Sequence, residues 1–146
     1  MGGAGRWYAE AQLAKEGLSM SVRLYLTIAA VVAILYALAF LIIPVQASLF
    51  FSDFAEARAV LYLRFCGAAV LAWGLIVWFA RDFREWYPIR AVLIGSVVGL
   101  AVNLIINFVA TMQGWLNANA WGSTVVLFLL LLGGIYHLSK GASELP

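Results

Sequence analysis

The sequence predicts an all-α integral membrane protein folded as an antiparallel four-helix bundle. Four long apolar stretches carry this prediction, residues 22–43, 59–80, 89–112 and 121–138. Each is close to the roughly 20 residues that a helix rising ~1.5 Å per residue needs to cross a hydrocarbon layer ~30 Å thick. Hydrophobic residues make up 65% of the chain and charged residues only 11%. Because a soluble domain of this size could not bury so much apolar surface, the lipid bilayer is the expected solvent.

Residues 1–20 are expected to form a cytoplasmic tail or a short N-terminal interfacial helix. They lack the apolar region of a signal peptide, so the first span should be retained. In the helical alternative, Trp7 and Tyr8 share an apolar side and Lys15 faces water. A separate hypothesis is that translation begins at Met20 rather than at the first residue, and both alternatives stay open.

Proline and short polar stretches mark the ends of the spans. Span one should end at Pro44, because a missing N–H is harmless where a helix leaves the hydrocarbon. Residues 46–58 mix apolar and acidic side chains, which is typical of a short helix along the outer interface. The charged and aromatic turn 81–88 joins spans two and three, and its Pro88 suits the first turn of the next helix.

The distribution of Lys and Arg predicts the orientation. Most of these residues precede span one, lie between spans two and three, or follow span four: Arg6, Lys15, Arg23, Arg81, Arg84, Arg90 and Lys140. The other side carries Arg58, with Arg64 just inside the membrane. The positive-inside bias therefore places both termini, including the tail 141–146, on the cytoplasmic side of the cell inner membrane. The net charge of +2 is too small to indicate a nucleic-acid partner.

Small residues in the spans predict where helices pack closely. Six glycines are the candidates: Gly67, Gly74, Gly95, Gly99, Gly133 and Gly134. Gly95 and Gly99 have the four-residue spacing that lets two membrane helices approach backbone to backbone.

A group of polar residues is expected inside the outer half of the bundle. Asn103 and Asn107 lie on one side of span three, and an amide in hydrocarbon must find a partner. Antiparallel spans place Arg64 at the depth of Asn107, with Ser123 and Thr124 near the outer rim of span four. Three interpretations stay open: an arginine that snorkels to the headgroups, a structural hydrogen-bond cluster, and a ligand or ion site.

Motifs for catalysis or metal binding are absent from the sequence. His137, the one histidine, is a weak candidate for an axial ligand of haem or chlorophyll, and is more typical of a polar residue at a helix C-terminus. The single cysteine, Cys66, cannot form an internal disulfide. It is expected near the opposite face of the membrane from His137, so the two cannot form a catalytic dyad. No enzymatic activity and no cofactor are predicted, while haem, chlorophyll and quinone remain compatible with the sequence.

Several features carry a resemblance to a known group: Pro44 closing span one, Arg64 with Gly67 early in span two, an aromatic and basic middle turn, and Gly114 with Trp121 and Gly122 before span four. In these features, over residues 20–140, the chain resembles the small bacterial four-span membrane proteins of unknown function and the DoxX-like group. The resemblance implies the fold rather than a chemistry.

Three functional hypotheses follow. The first is a non-enzymatic accessory or assembly subunit, whose helices contact other membrane protein subunits or a second copy of itself. The second is a binder or carrier of a small amphipathic ligand, a quinone or a lipid, in an outward-facing pocket near Arg64 and Asn107. The third is a membrane oxidoreductase subunit that uses His137.

Overall fold

The fold is helical throughout the part of the chain that the computed structural model describes, residues 3–53 and 56–141. These ranges contain five helices and no strand: α1 (Gly3–Ile42), α2 (Pro44–Phe51), α3 (Ala57–Ala80), α4 (Trp86–Met112) and α5 (Ala120–Lys140). Among these described helices four are long and apolar enough to cross a membrane, and α1 contributes Val22–Ile42 to its crossing. The all-α membrane helical bundle predicted from the sequence is confirmed.

The stretch before the first span is helical and continuous with it. α1 is a single helix of 40 residues that includes this stretch, and the assignment of residues 1–20 to a tail or an interfacial helix stays a prediction. Residues 3–21 contain no proline and many good helix formers, which favours continuation of the helix. The side chains of residues 3–21, those of Trp7 and Tyr8 included, and residues 142–146 lie outside the described part of the chain.

Proline and glycine set the ends of two helices. Pro44 lies in the first turn of α2, where its missing N–H leaves no helical hydrogen bond unmade. α4 ends at Met112, and Gly114 follows two residues later with a φ of 74°, which favours glycine. The Gly114 N–H donates to the Thr111 carbonyl at 3.1 Å, and the Trp115 N–H donates to the Ala110 carbonyl at 2.9 Å. These two bonds form a Schellman motif, which satisfies the last carbonyls of α4 and turns the chain towards α5.

The spans form two antiparallel pairs, α1 with α3 and α4 with α5. Two glycines of α3 let α1 approach closely. A Cβ atom added at Gly67 would lie 2.9 Å from the Phe40 Cβ, and one added at Gly74 would lie 3.0 Å from the Ile34 Cγ1. Both distances are shorter than ordinary van der Waals contact, so a larger residue at either position would push the helices apart.

The two pairs meet at the end of the bundle that holds the α3–α4 connection, here named the base. Six buried residues from α1, α3 and α4 form its core: Val22, Leu26, Ala30, Val77, Ile89 and Leu93. Trp73, Trp78 and Trp86 pack against this core. The largest continuous apolar packing among the described residues is therefore at one end of the bundle rather than along its whole length.

Tyr25 connects the pairs at the base. It belongs to α1, and its hydroxyl donates a hydrogen bond to the Leu130 carbonyl of α5 at 2.8 Å. Its side chain lies against Gly133 and Gly134, where an added Cβ would come within 2.6 Å of Tyr25 Cε2 and 2.9 Å of Tyr25 Oη respectively. The two glycines thus provide the space that the tyrosine ring occupies.

The opposite end, here named the top, holds α2 and the α4–α5 connection. The Asn117 N–H donates to the Phe51 carbonyl at 2.9 Å, and the Asn119 side-chain amide donates to the Phe50 carbonyl at 3.0 Å. These bonds tie the end of α2 to the other helix pair. The bundle is therefore joined by packed side chains at the base and by hydrogen bonds at the top.

We predict that Gly67→Leu lowers the free energy of unfolding by about 1–3 kcal/mol, because leucine cannot fit against Phe40 without moving α1. Gly122→Leu is the matched control, since Gly122 of α5 has no neighbouring atom within 4 Å of an added Cβ. It should keep or slightly raise stability, because leucine is the better helix former. Denaturant titration in detergent micelles, followed by circular dichroism, measures both variants. Equal stability of the two would contradict the close α1–α3 packing.

Candidate functional site

A cavity of about 550 Å³ lies between the two helix pairs. Its volume is within the usual range for small-molecule sites, ~300–1,000 Å³. Along α1 its lining extends from Tyr25 near the base to Phe40 near the top, a distance of about 22 Å at ~1.5 Å per residue. The cavity exists because the pairs are held together at the two ends of the bundle and do not pack against each other between them.

The lining is mainly apolar, and within the described ranges no Lys, Arg, Asp, Glu or His contributes to it. The polar side chains in the wall are Tyr25, Tyr36, Ser96, Asn103, Asn107 and Ser123. A charged ligand would find no counter-ion there, and burying an unpaired charge is costly. The cavity therefore suits a neutral molecule.

Asn107 joins α4 to α5 near the top. Its Nδ2 donates to the Ser123 Oγ at 3.0 Å, and its Oδ1 accepts a hydrogen bond from the Thr124 Oγ1 at 2.9 Å. Both hydroxyls also lie within 3.0 Å of the Ala120 carbonyl. Both polar atoms of the Asn107 amide thus bond to side chains of α5, and these bonds hold the α4–α5 pair together.

Asn103, one turn deeper on the same side of α4, has a different environment. Its Nδ2 donates to the Gly99 carbonyl of its own helix at 3.0 Å. A carbonyl can only accept, so the nitrogen must face Gly99 and the Oδ1 atom is left over. No group in the described part of the chain donates to this oxygen. Asn103 therefore presents an unused acceptor in the cavity wall.

Tyr36 supplies a second unused polar group. It lines the cavity from α1, and its hydroxyl forms no hydrogen bond with any residue in the described ranges. Its ring stacks on Phe51 of α2 with centroids 6.2 Å apart and meets the Phe40 ring edge to face at 6.0 Å. These three rings form an aromatic wall towards the top of the cavity.

Arg64 lies apart from the polar cluster expected for it. Its side chain is exposed, it does not line the cavity, and it pairs with no residue in the described part of the chain. Arg64 is nine positions before Trp73, which at 3.6 residues per turn places the two on opposite sides of α3. Because Trp73 faces the cavity, Arg64 faces away from it. The expected meeting of Arg64 with Asn107 does not occur, because the rotation of α3 directs Arg64 outward.

The remaining glycines expected to support helix packing have different surroundings. Gly95 faces the ring of Trp73, whose Cη2 would lie 3.1 Å from an added Cβ. Gly99 has no neighbouring atom within 4 Å of an added Cβ. The spacing of Gly95 and Gly99 therefore brings no second backbone close in this structure. Both glycines line the cavity instead.

His137 is buried at the base. Its ring contacts Tyr25 at a centroid distance of 5.0 Å and Tyr136 at 5.2 Å. It does not line the cavity. Within the described ranges no three His, Cys, Asp or Glu side chains come close enough to hold a metal ion, and Cys66 is an exposed free cysteine.

Tyr25, Tyr36 and Trp73 are site residues that sequence reasoning missed. Tyr25 and Tyr36 are 11 residues apart, which is close to three helical turns and places them on one side of α1. Two tyrosines on one side of a span were the available signal. Aromatic residues are so common at membrane interfaces that the signal is weak.

No protein-family model, curated protein or solved structure matches this chain. The resemblance to the DoxX-like group stays a prediction.

We predict that Asn107→Leu lowers the free energy of unfolding by about 1 kcal/mol, because it removes two interhelical hydrogen bonds worth ~0.6 kcal/mol each. Asn103→Leu is the control, since the Asn103 amide bonds only within its own helix and its loss should cost less. Both are measured by denaturant titration in micelles. A larger loss for Asn103→Leu would show that Asn107 does not hold the pair together.

Proposed function

We propose that this protein binds a small, neutral amphipathic molecule, such as a quinone or a lipid, in the cavity between its helix pairs. The observation that carries the proposal is an apolar cavity of about 550 Å³ whose wall holds two polar atoms without a described protein partner, Tyr36 Oη and Asn103 Oδ1. Apolar walls with a few fixed polar groups are typical of small-molecule sites, because the walls supply affinity and the polar groups fix orientation.

The aromatic wall favours a ligand with a flat ring. Ring pairs contribute ~0.5–1.5 kcal/mol beyond the burial of their area. The Tyr36 hydroxyl can donate to a ligand carbonyl, and Asn103 Oδ1 can accept from a ligand hydroxyl. Quinones and quinols carry these groups on a ring, with a tail that is soluble in the bilayer.

A second candidate is an accessory or assembly subunit of a larger membrane complex. Arg64 favours it, because an exposed arginine within a span costs up to ~2.5–3.5 kcal/mol at the bilayer centre. An acidic or carbonyl group of another subunit would offset that cost, as would a headgroup that Arg64 reaches by snorkelling. Native mass spectra of the protein from mild detergent distinguish the candidates: a bound small molecule supports the first, and stoichiometric protein subunits support the second.

Cavity binding is tested with an alkyl benzoquinone, which quenches tryptophan fluorescence and would contact Trp73. We expect saturable quenching of the wild type. Val126→Phe fills the cavity and should weaken binding about tenfold, the effect of ~1.4 kcal/mol of overpacking. Val125→Phe is the matched control, because the neighbouring Val125 is 56% exposed and does not line the cavity. Unsaturable quenching, or equal binding by the two variants, would contradict the proposal.

We further propose that the base faces the cytoplasm in the inner membrane, with both termini on that side. Five cations lie at the base, Arg23, Arg81, Arg84, Arg90 and Lys140, whereas Arg58 begins α3 at the top. The positive-inside rule supports this orientation.

Single cysteines introduced into a Cys66→Ser background test this sidedness. A membrane-impermeant maleimide applied to intact cells should label Gln113→Cys at the top. Asp82→Cys at the base should react only after permeabilisation. Labelling of Asp82→Cys in intact cells would reverse the orientation.

A further inference from the structure

The wall of the cavity is open in one direction. Of the lining residues in the described part of the chain, four are exposed: Ala69 of α3 and Gly95, Gly99 and Asn103 of α4. The others are buried or partly buried, including Val32, Val126 and Leu130 on the α1 and α5 side. The exposed four belong to the two helices that border the α3–α4 seam. They are here named the portal.

The packing of the portal explains why it is open. At its lower edge the Trp73 ring lies against Gly95 and spaces α3 from α4. Above this contact Gly99 has no neighbouring atom within 4 Å of an added Cβ, and Ala69 is too small to close the gap. Gly99 is midway along α4, about 20 Å from either end at ~1.5 Å per residue. At that depth the portal faces hydrocarbon rather than water.

Asn103 places an acceptor in this opening. Its Oδ1 receives no hydrogen bond from the described residues, and an amide oxygen in an apolar environment costs free energy until a donor pairs with it. Because no charged side chain lines the cavity, the donor belongs to a neutral molecule. A molecule dissolved in the bilayer reaches Asn103 without crossing an aqueous phase.

We infer that the ligand is a neutral, hydroxyl-bearing amphiphile that enters from the bilayer through the portal and donates its hydroxyl to Asn103 Oδ1. This inference rests on the proposed binding function and adds to it the ligand class and the route. A phenol, a quinol or a lipid alcohol is neutral and carries the required hydroxyl. A fatty acid anion or a phospholipid headgroup is charged and does not meet the requirement.

The hydroxyl requirement is tested by competition in lipid nanodiscs. A long-chain alkylphenol and its methyl ether, which lacks the O–H, displace the alkyl benzoquinone from the wild type. The phenol should displace it at roughly three- to tenfold lower concentration, the effect of one hydrogen bond. In Asn103→Leu the phenol should lose this advantage. An equal effect of the two competitors on the wild type would overturn the inference.

The route is tested by the rate of quenching after rapid mixing. Gly99→Leu narrows the portal without a clash, and should slow both association and dissociation of the benzoquinone by about one decade. Gly122→Leu is the matched control, because Gly122 is equally free of neighbours and does not line the cavity. Wild-type rates in Gly99→Leu would exclude the portal as the route. Absence of saturable quenching in the wild type would instead refute the proposed function itself.

Discussion

The contact of Tyr25 with Gly133 and Gly134 determines how the two halves of this bundle are arranged. Helices in a bilayer gain little from the hydrophobic effect, because lipid tails are as apolar as their own side chains, and they associate through close packing and hydrogen bonds. Tyr25 supplies both. Its ring occupies the space that two adjacent glycines leave on α5, and its hydroxyl bonds to the Leu130 carbonyl. The pairs are thereby fixed to each other at the base.

The contact at the base leaves the two helix pairs free to separate towards the top of the bundle. α2 limits that separation. The two hydrogen bonds from the α4–α5 connection to Phe50 and Phe51 hold the top. Within each pair the helices stay close, because Gly67 and Gly74 join α1 to α3 and Asn107 joins α4 to α5. Strong contacts within the pairs and weak contacts between them produce a space along the middle of the bundle, with its opening at a seam.

The sequence predicts the spans and their ends well, because hydrophobic length, proline and glycine act locally. The 22–43 stretch and Val22–Ile42 nearly coincide, and the span ends before Pro44 as expected, whereas the short outer helix covers Pro44–Phe51 rather than the expected 46–58. The sequence also placed Asn107, Ser123 and Thr124 in one polar group, and in the structure Asn107 forms hydrogen bonds with both hydroxyls. The rotation of each helix about its own axis could not be predicted from the sequence, because it depends on which neighbouring helix each side contacts. Arg64 faces away from the cavity, and Gly99 borders an opening instead of a second backbone.

Asn103 and Asn107 show that two asparagines on one side of a membrane helix can have different polar environments. The two share one side of α4 and one chemistry, so sequence alone assigns them the same role. Asn107 bonds to two hydroxyls of α5, one through its nitrogen and one through its oxygen. Asn103, one turn away, lies where α4 borders the cavity and the α3–α4 seam, and half of its amide is left for something outside the described chain. Hydrocarbon cannot supply a hydrogen-bond donor, so under the proposed function the partner of that oxygen is a polar group of a molecule that dissolves in the bilayer.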